Sequence, residues 1–310
     1  MIGSKRSRAT LDTTMQRGTK SAILPIPQRY RADRMFNVPR IHAKIATDTI
    51  FVKKKSLRNN IASQLYTHKC GFSTPYHFPR ENGENVGNSL CDFIHDYGVP
   101  DNLTYDGAAV QVGAGTNFVD TIRRNHISTH ILAPYRPNEN PVEGSIREVK
   151  KRWYRIQHKM NIPDRLWDYG ITWICETGNV TASSSRYADG RTPLEYITGE
   201  TPDITEYLDF NFYDWVMYKS NAGIDGPELW RWLGVSHRTG PFMSYWILPS
   251  SGLPISCNTV QHMTQLEMVT TEMKEKMKSF TVKVNRRSDV ASADTTINTP
   301  NFNLSQILGL

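Results

Sequence analysis

The chain has 310 residues, enough for about two domains. Hydrophobic residues make up 38% and charged residues 22%; no uninterrupted apolar run approaches the ~20 residues of a membrane span, so the chain reads as soluble, with no membrane among its expected partners. Lys5, Arg6 and Arg8 are followed by no apolar stretch, so the start does not resemble a secretion signal, and the four scattered cysteines, Cys70, Cys91, Cys175 and Cys257, form no Cys-x-x-Cys pair and read as buried small hydrophobes in a reducing compartment.

The net charge of +7 invites a nucleic-acid partner, and its position is informative. Nine basic residues against two acidic ones fall within the first forty, which leaves 28 of each sign elsewhere. Residues 1–40 therefore read as a basic, disordered leader. Two readings of it stand open, a phosphate-neutralising arm and a plain solvated end.

From Ala43 the run AKIATDTIFVKK alternates apolar and polar residues with β-branched side chains, which predicts a strand. Ile61–Cys70 and Phe72–Arg80 predict two more, reversing at Cys70-Gly71. Val86, Leu90, Phe93, Ile94 and Tyr97 give helical spacing closed by Gly98 and Pro100. A short strand over Asn102–Asp106, a helix over Thr116–Asn125 and a strand over Ile127–Leu132 follow. After the loop APYRPNENP a helix is predicted from Pro141 to about Gln157, with Asn140 as N-cap. A further helix runs from Pro163, where Leu166, Gly170, Trp173, Ile174 and Cys175 form an apolar stripe read as packing. Thr192 and Glu195 stand at capping-box spacing before a short helix that Gly199 ends. Beyond Asp209 the aromatic runs FNFYDWVMYK, PFMSYWILP and GLPISCNTVQHM predict a small β-barrel, with Trp215, Trp230, Trp232 and Trp246 as its core rather than base-stacking platforms. The Ser-, Thr- and Asn-rich segment 286–310 reads as a disordered tail.

Three carboxylates carry the chemical interest. Asp48 lies in the middle of a strand, an unsuitable place that calls for metal binding, an edge position or a local backbone hydrogen bond. Asp106 ends its strand in an Asp-Gly pair that also suits a turn, and Glu143 stands at capping-box distance from Asn140. Together, the inferred order of strands and helices can bring the three into one place. Such an oxygen-only set suits Mg²⁺ or Mn²⁺, and a cation relieves the crowding of like charges.

The blocks TDTIF, LTYDGA and PYRPNENPVEGSIREVKKRW, with PLEYITGETPDITEYLDFNFYDWVMY and the GPF near Phe242, resemble the integrase of Ty1/copia-type retrotransposons, within the retroviral integrase superfamily. The resemblance covers roughly residues 41–264. It puts Asp48, Asp106 and Glu143 at the places of that family's aspartate, aspartate and glutamate. Thirty-six residues separate Asp106 from Glu143, one more than the commonest family spacing, which reads as a loop insertion.

The resemblance implies an α/β, RNase H-like mixed sheet with flanking helices over residues 41–200, followed by a small β-barrel-like module over 209–265. It implies an enzyme of DNA integration that cleaves phosphodiesters and transfers strands with two Mg²⁺ or Mn²⁺ ions, acting as a homo-oligomer on element and target DNA in the nucleus. It also implies a polyprotein origin. The family's upstream zinc module, built from two His and two Cys, has no counterpart before Asp48, where His42 stands alone, so zinc is not predicted. Arg147 and Lys150, four and seven residues after Glu143, share its helix face and with Lys151 are expected to contact DNA phosphate. Tyr135 and Asn138 are candidate DNA contacts by stacking and by an amide hydrogen bond. Two other readings stay open: an inactive remnant that binds DNA, and an RNase H-type nuclease without joining.

Overall fold

The structure, a computed structural model, describes residues 3–16, 39–107, 117–132, 141–218, 228–237, 243–258 and 260–293, with side chains as far as 285. Helix α1 spans Ser4–Asp12. Strands β1 (Arg40–Phe51), β2 (Ala62–Thr67) and β3 (Ser73–Phe78) follow, then helix α2 (Gly83–Tyr97), β4 (Val99–Asp106), α3 (Asn117–Arg124) and β5 (Ser128–Leu132). Next come α4 (Pro141–Met160), α5 (Trp167–Asn179) and the short α6 (Pro193–Thr198).

The first sheet has the order β3-β2-β1-β4-β5. β1 pairs antiparallel with β2, and β2 with β3, while β1, β4 and β5 run parallel. Three adjacent antiparallel strands extended by two parallel ones, with helices on both faces, make an RNase H-like mixed sheet. The chain has to fold this way because β1 is apolar on both sides. Ile41, Ala43 and Ile45 enter one core with Val86, Leu90, Phe93 and Ile94 of α2 and Phe118 and Ile122 of α3. Ile50 and Leu65 enter a second core with Val149 and Trp153 of α4 and Ile171, Ile174 and Cys175 of α5. Alternation along a strand sends successive side chains to opposite faces, so one strand feeds two cores.

Helix α4 carries its apolar residues at Val142, Ile146, Val149, Trp153, Ile156 and Met160, a spacing of four and three that turns one stripe toward the sheet. Gly170 of α5 sits under the Trp153 ring. A Cβ there would lie 2.0 Å from a ring carbon, so only glycine lets the two helices come this close. At α6 the expected cap holds: the Thr192 hydroxyl accepts from the Glu195 N–H at 3.2 Å, and Gly199 closes the helix in the left-handed conformation.

The C-terminal region forms a second, antiparallel sheet from β6 (Trp215–Tyr218), β7 (Glu228–Val235), β8 (Tyr245–Leu248), β9 (Ile255–Cys257) and β10 (Val260–His262). Its order is β10-β6-β7-β8-β9. The two edge strands are neighbours in sequence, so the sheet has to curl until its edges approach, which is the barrel-like form expected. Trp230 and Trp232 are buried inside it. Trp215 and Trp246 instead pack at the junction with α4 and α5, a correction to their assignment as barrel core. The expected strand FNFYDWVMYK is reduced to Trp215–Tyr218, because Asp214 accepts from the Asn211 N–H at 2.8 Å and holds a turn before it. β7, which had no counterpart among the predicted strands, fills the middle of the sheet.

Both terminal expectations need correction where residues are described. Ser4–Asp12 is a helix, pinned because the Arg6 Nε donates to the Ala182 carbonyl at 2.9 Å and the Ala182 N–H donates to the Thr10 hydroxyl at 3.0 Å. Met15 then bridges to Asp203. At the other end a capped turn of helix, α7 (Gln265–Val269), leads into α8 (Thr271–Ala293), which runs into the segment read as a disordered tail. Its Phe280 and Val284, one turn apart, are buried against the second core, Phe280 edge-on to Trp215 at 5.2 Å. Residues 17–38 and 294–310 lie outside the described residues. Cys70 and Cys175 are buried as expected, Cys257 is half-buried, and Cys91 is exposed. No described helix is long and apolar enough to cross a membrane.

Candidate active site

Asp48 belongs to β1 and Asp106 is the last residue of β4. Thr47 pairs with Tyr105 in a parallel register, so the next two residues leave neighbouring strands side by side and on one face, about 4.8 Å apart between strands. That face is the one covered by α4, because Ile50, two residues beyond Asp48, packs on Val149 and Trp153 of that helix. Glu143 lies in the first turn of α4. Strand register and helix placement thus bring the three predicted carboxylates to one end of one face.

Their electrostatics agree. Burial, then the charges of Asp106 and Glu143, push the Asp48 carboxyl up to about 6, against a hydrogen bond from the Thr49 N–H at 2.7 Å and the charge of Lys150. Asp48 is half-buried, Glu143 likewise, and Asp106 is exposed. Lys150 is half-buried on the same helix stripe as Glu143; desolvation lowers its pKa while Asp48 opposes that change. It is the cation that partly offsets the carboxylates. Arg147 and Lys151 are exposed on α4 beside it. Tyr135, Asn138 and the expected N-cap Asn140 lie outside the described residues.

Two residues near the site carried no earlier expectation. Glu81, in the turn between β3 and α2, has its pKa raised by burial and then by the charge of Asp106, which makes it a fourth acid in the neighbourhood. In sequence it looks like one more turn residue; only the β3–α2–β4 arrangement brings it near. Gln64 of β2 is fully buried on the opposite face of the sheet. Its amide nitrogen donates to the Thr47 hydroxyl at 2.7 Å and its carbonyl accepts from the Thr49 hydroxyl at 2.8 Å, bridging the two residues that flank Asp48. Alternation of Thr47 and Thr49 around Asp48 was visible in TDT, but their partner was not.

The donor set suits a hard divalent cation: all oxygen, with like charges that raise the proton affinity of Asp48 until something positive replaces the proton. Among the described residues, no three His, Cys, Asp or Glu side chains stand close enough to hold an ion as they are placed. Closure onto a cation therefore requires rotation of the carboxylates that the backbone brings together.

No family model and no curated protein matches the chain. Among solved structures it is similar to the catalytic core domain of BIV integrase, with 16% identity, a TM-score of 0.38, and coverage of 50% of this chain and 93% of that one. It is similar to a chain of the simian T-cell lymphotropic virus intasome in complex with PP2A regulatory subunit B56 gamma (17% identity, TM-score 0.42, 74% and 81% covered). A third likeness is to the HTLV-2 integrase catalytic core domain in complex with magnesium, in a trimeric form (13% identity, TM-score 0.39, 50% and 96% covered). These superpositions are loose, and the fold stands on the strand order and register of this chain.

Proposed function

We propose that the chain is a metal-dependent polynucleotidyl transferase of the integrase type, of retrotransposon origin, that cleaves DNA and joins a DNA end to a target. The observation that carries the reading is the meeting of Asp48, Asp106 and Glu143 on one face, close enough for the latter two to raise the proton affinity of the first.

Asp48, Asp106 and Glu143 are the residues that would hold two Mg²⁺ or Mn²⁺ ions. Bound there, the ions would supply Lewis-acid activation of the attacking oxygen and stabilisation of the leaving oxygen. The work of the protein is placement. β1 and β4 fix two carboxylates in register, and the Trp153–Gly170 contact fixes the height of α4 and so of Glu143. Arg147, Lys150 and Lys151 place positive charge along α4 beside the carboxylates, where a phosphodiester backbone has to pass. Tyr135 and Asn138 stand just before this helix in sequence and complete the proposed DNA contacts. A homo-oligomer and a nuclear site of action belong to the same reading.

The test is incubation of the purified chain with a labelled DNA end and a target duplex in Mn²⁺ or Mg²⁺. Joined product is expected, and Asp106→Asn or Glu143→Gln is expected to abolish it. Equal joining by either variant would refute the assignment.

One observation favours a second reading. Among the described residues, the side chains as placed gather no three ligands around one point, as in a remnant that binds DNA without cutting it. Metal-dependent cleavage by the unaltered chain would remove that reading, whereas cleavage of the RNA strand of a hybrid with no joined DNA would point to an RNase H-type nuclease.

A further inference from the structure

The turn between β2 and β3 and the loop between α5 and α6 are tied together by serines. The Ser185 hydroxyl donates to the Lys69 carbonyl at 2.9 Å and accepts from the Tyr187 N–H at 3.3 Å. The Ser183 hydroxyl donates to the Cys70 carbonyl at 2.7 Å and accepts from the Ser185 N–H at 3.1 Å. Ala188 is fully buried in the first core and anchors the loop from below. The backbone is thus held, while the side chains of Lys69, Arg186 and Tyr187 remain exposed.

These three side chains form a group. The Arg186 guanidinium lies over the Tyr187 ring, 4.9 Å from its centroid, and its Nη2 donates to the Tyr187 hydroxyl at 2.8 Å. The Lys69 Nζ is 5.9 Å from the same ring. The hydroxyl uses an acceptor site for Arg186, which leaves its own proton to donate outward. Hydrogen bonding and charge from Arg186, then the charge of Lys69, lower the Tyr187 pKa, as a locally positive potential requires. Among the described residues, neither cation has a carboxylate within ion-pair distance. Helix α1 adds the exposed Lys5 and Arg8, docked through Arg6 and Thr10 onto Ala182 at the base of the same loop. An aromatic ring flanked by two cations that lack a carboxylate partner among the described residues is an anion-binding arrangement on this braced loop, and the two further exposed cations on the helix docked at the loop's base suit a polyanion.

We infer that Lys69, Arg186 and Tyr187 form a second DNA-backbone contact, in which both cations and the tyrosine hydroxyl take phosphate oxygens of a DNA segment other than the one at the carboxylates. Leu65 is the β2 partner of Asp48, and Thr67, the last residue of β2, already lies about 7 Å further along the strand, with Lys69 beyond it. The loop packs on the α2 side of the sheet and the carboxylates face the α4 side. A joining reaction brings two DNA segments to one protein, and two separate contact surfaces meet that need. The choice of DNA as the polyanion rests on the proposed function.

The test uses the full chain in EDTA, so that no turnover is needed, and measures binding of a short blunt DNA duplex by fluorescence anisotropy over a salt series. Each phosphate contact contributes about 0.9 to the slope of log affinity against log salt. Lys69→Ala with Arg186→Ala is expected to reduce the slope by about 2 and to weaken binding roughly tenfold or more at about 0.1 M salt. Tyr187→Phe is expected to weaken it by a few-fold without changing the slope. Removing two exposed lysines elsewhere, Lys274→Ala with Lys278→Ala on α8, should leave the slope as it is.

An unchanged slope in the Lys69/Arg186 variant would overturn the inference, as would an equal fall in the α8 variant, which would reduce the effect to net charge. Absence of DNA binding by the unaltered chain would do so as well. Matching thermal unfolding of all variants guards against misfolding. Failure of joining with the slope change intact would sink the proposed function and leave this surface standing.

Discussion

The two faces of the central sheet are built from the same strands and settle their polar groups in opposite ways. On the α2 face the buried polar groups that flank Asp48 are partnered: Gln64 bridges Thr47 and Thr49, and the Tyr66 hydroxyl lies 2.9 Å from that of Ser89. On the α4 face, Asp48 shares its surroundings with two further carboxylates and is offset by one half-buried lysine. The first face is satisfied and the second is left charged. Imbalances of this kind are retained where function needs them, and this one supports the proposal that the chemistry lies on the α4 side. It also says what each face should do when altered: loss of a polar group should cost stability on one side and loss of a charge should add it on the other.

The largest expected effect breaks the charged face directly. Asp106→Asn should lower metal-dependent joining by about three orders of magnitude or more, since a metal ligand acts with its partners as a unit. A quantitative joining assay with Mn²⁺ checks it, and retention of more than a tenth of the activity would contradict the role given to Asp106.

Next in size is the packing that carries Glu143. Gly170→Ala inserts a methyl group 2.0 Å from the buried Trp153 ring, and with neither helix able to give way freely the cost should be about 3 kcal/mol. Urea denaturation measures this, and a midpoint unchanged from the parent chain would show that the contact is soft.

These two cases also show what the sequence made legible. The strands and helices of the first sheet followed from alternation in AKIATDTIF and from the helical spacing of Val86, Leu90, Phe93 and Ile94, because burial on two faces writes periodicity into residues; their order in the sheet was implied only by the family resemblance. Asp48, Asp106 and Glu143 could be named only as a set: a turn suits Asp106 and a helix cap suits Glu143 when each is taken alone, and the order of the three acidic blocks, shared with the family they resemble, singled them out. The Gly170–Trp153 contact could not, since it depends on how two helices cross. β7 escaped for another reason: ELWRWLGV has buried residues on consecutive positions after its bulge near Gly234, so its alternation is broken. Helix α8 had a readable signal in Met273, Met277, Phe280 and Val284 at spacings of four, three and four, masked by the polar composition around it. The docking of α1 depends on Arg6 and Thr10 reaching a loop more than 170 residues away, as their separations of 176 and 172 from Ala182 record, and no local pattern encodes that.

A third expectation comes from the charge itself. The Asp48 pKa is raised from 3.8 to about 6 in the folded chain, so between those values the folded state binds more protons than the unfolded one. Stability then falls as pH rises from about 4 to about 6 and stays level above, the reverse of a salt-bridged carboxylate. Asp48→Asn should therefore stabilise the metal-free chain by about 2 kcal/mol at neutral pH and by nothing near pH 4. Thermal unfolding at the two pH values tests this. A variant equally stabilised at both would assign the effect to something other than the carboxylate charge.

The smallest effect belongs to the satisfied face and has the opposite sign. Gln64→Leu keeps most of the side-chain volume but leaves the hydroxyls of Thr47 and Thr49 without the amide that joins them, in a place where Gln64 is fully buried. Two weakened hydrogen bonds, partly offset by the gain of apolar contact, should cost about 1 to 2 kcal/mol. The loss should be the same at pH 4 and pH 7, because no titrating group is removed. Gln64→Glu, which keeps the shape and adds a charge behind Asp48, should cost more at pH 7 than at pH 4. If Gln64→Leu proved as pH-sensitive as the Asp48 variant, the two faces would be electrically coupled through the sheet, and the division between a satisfied side and a charged side would not hold.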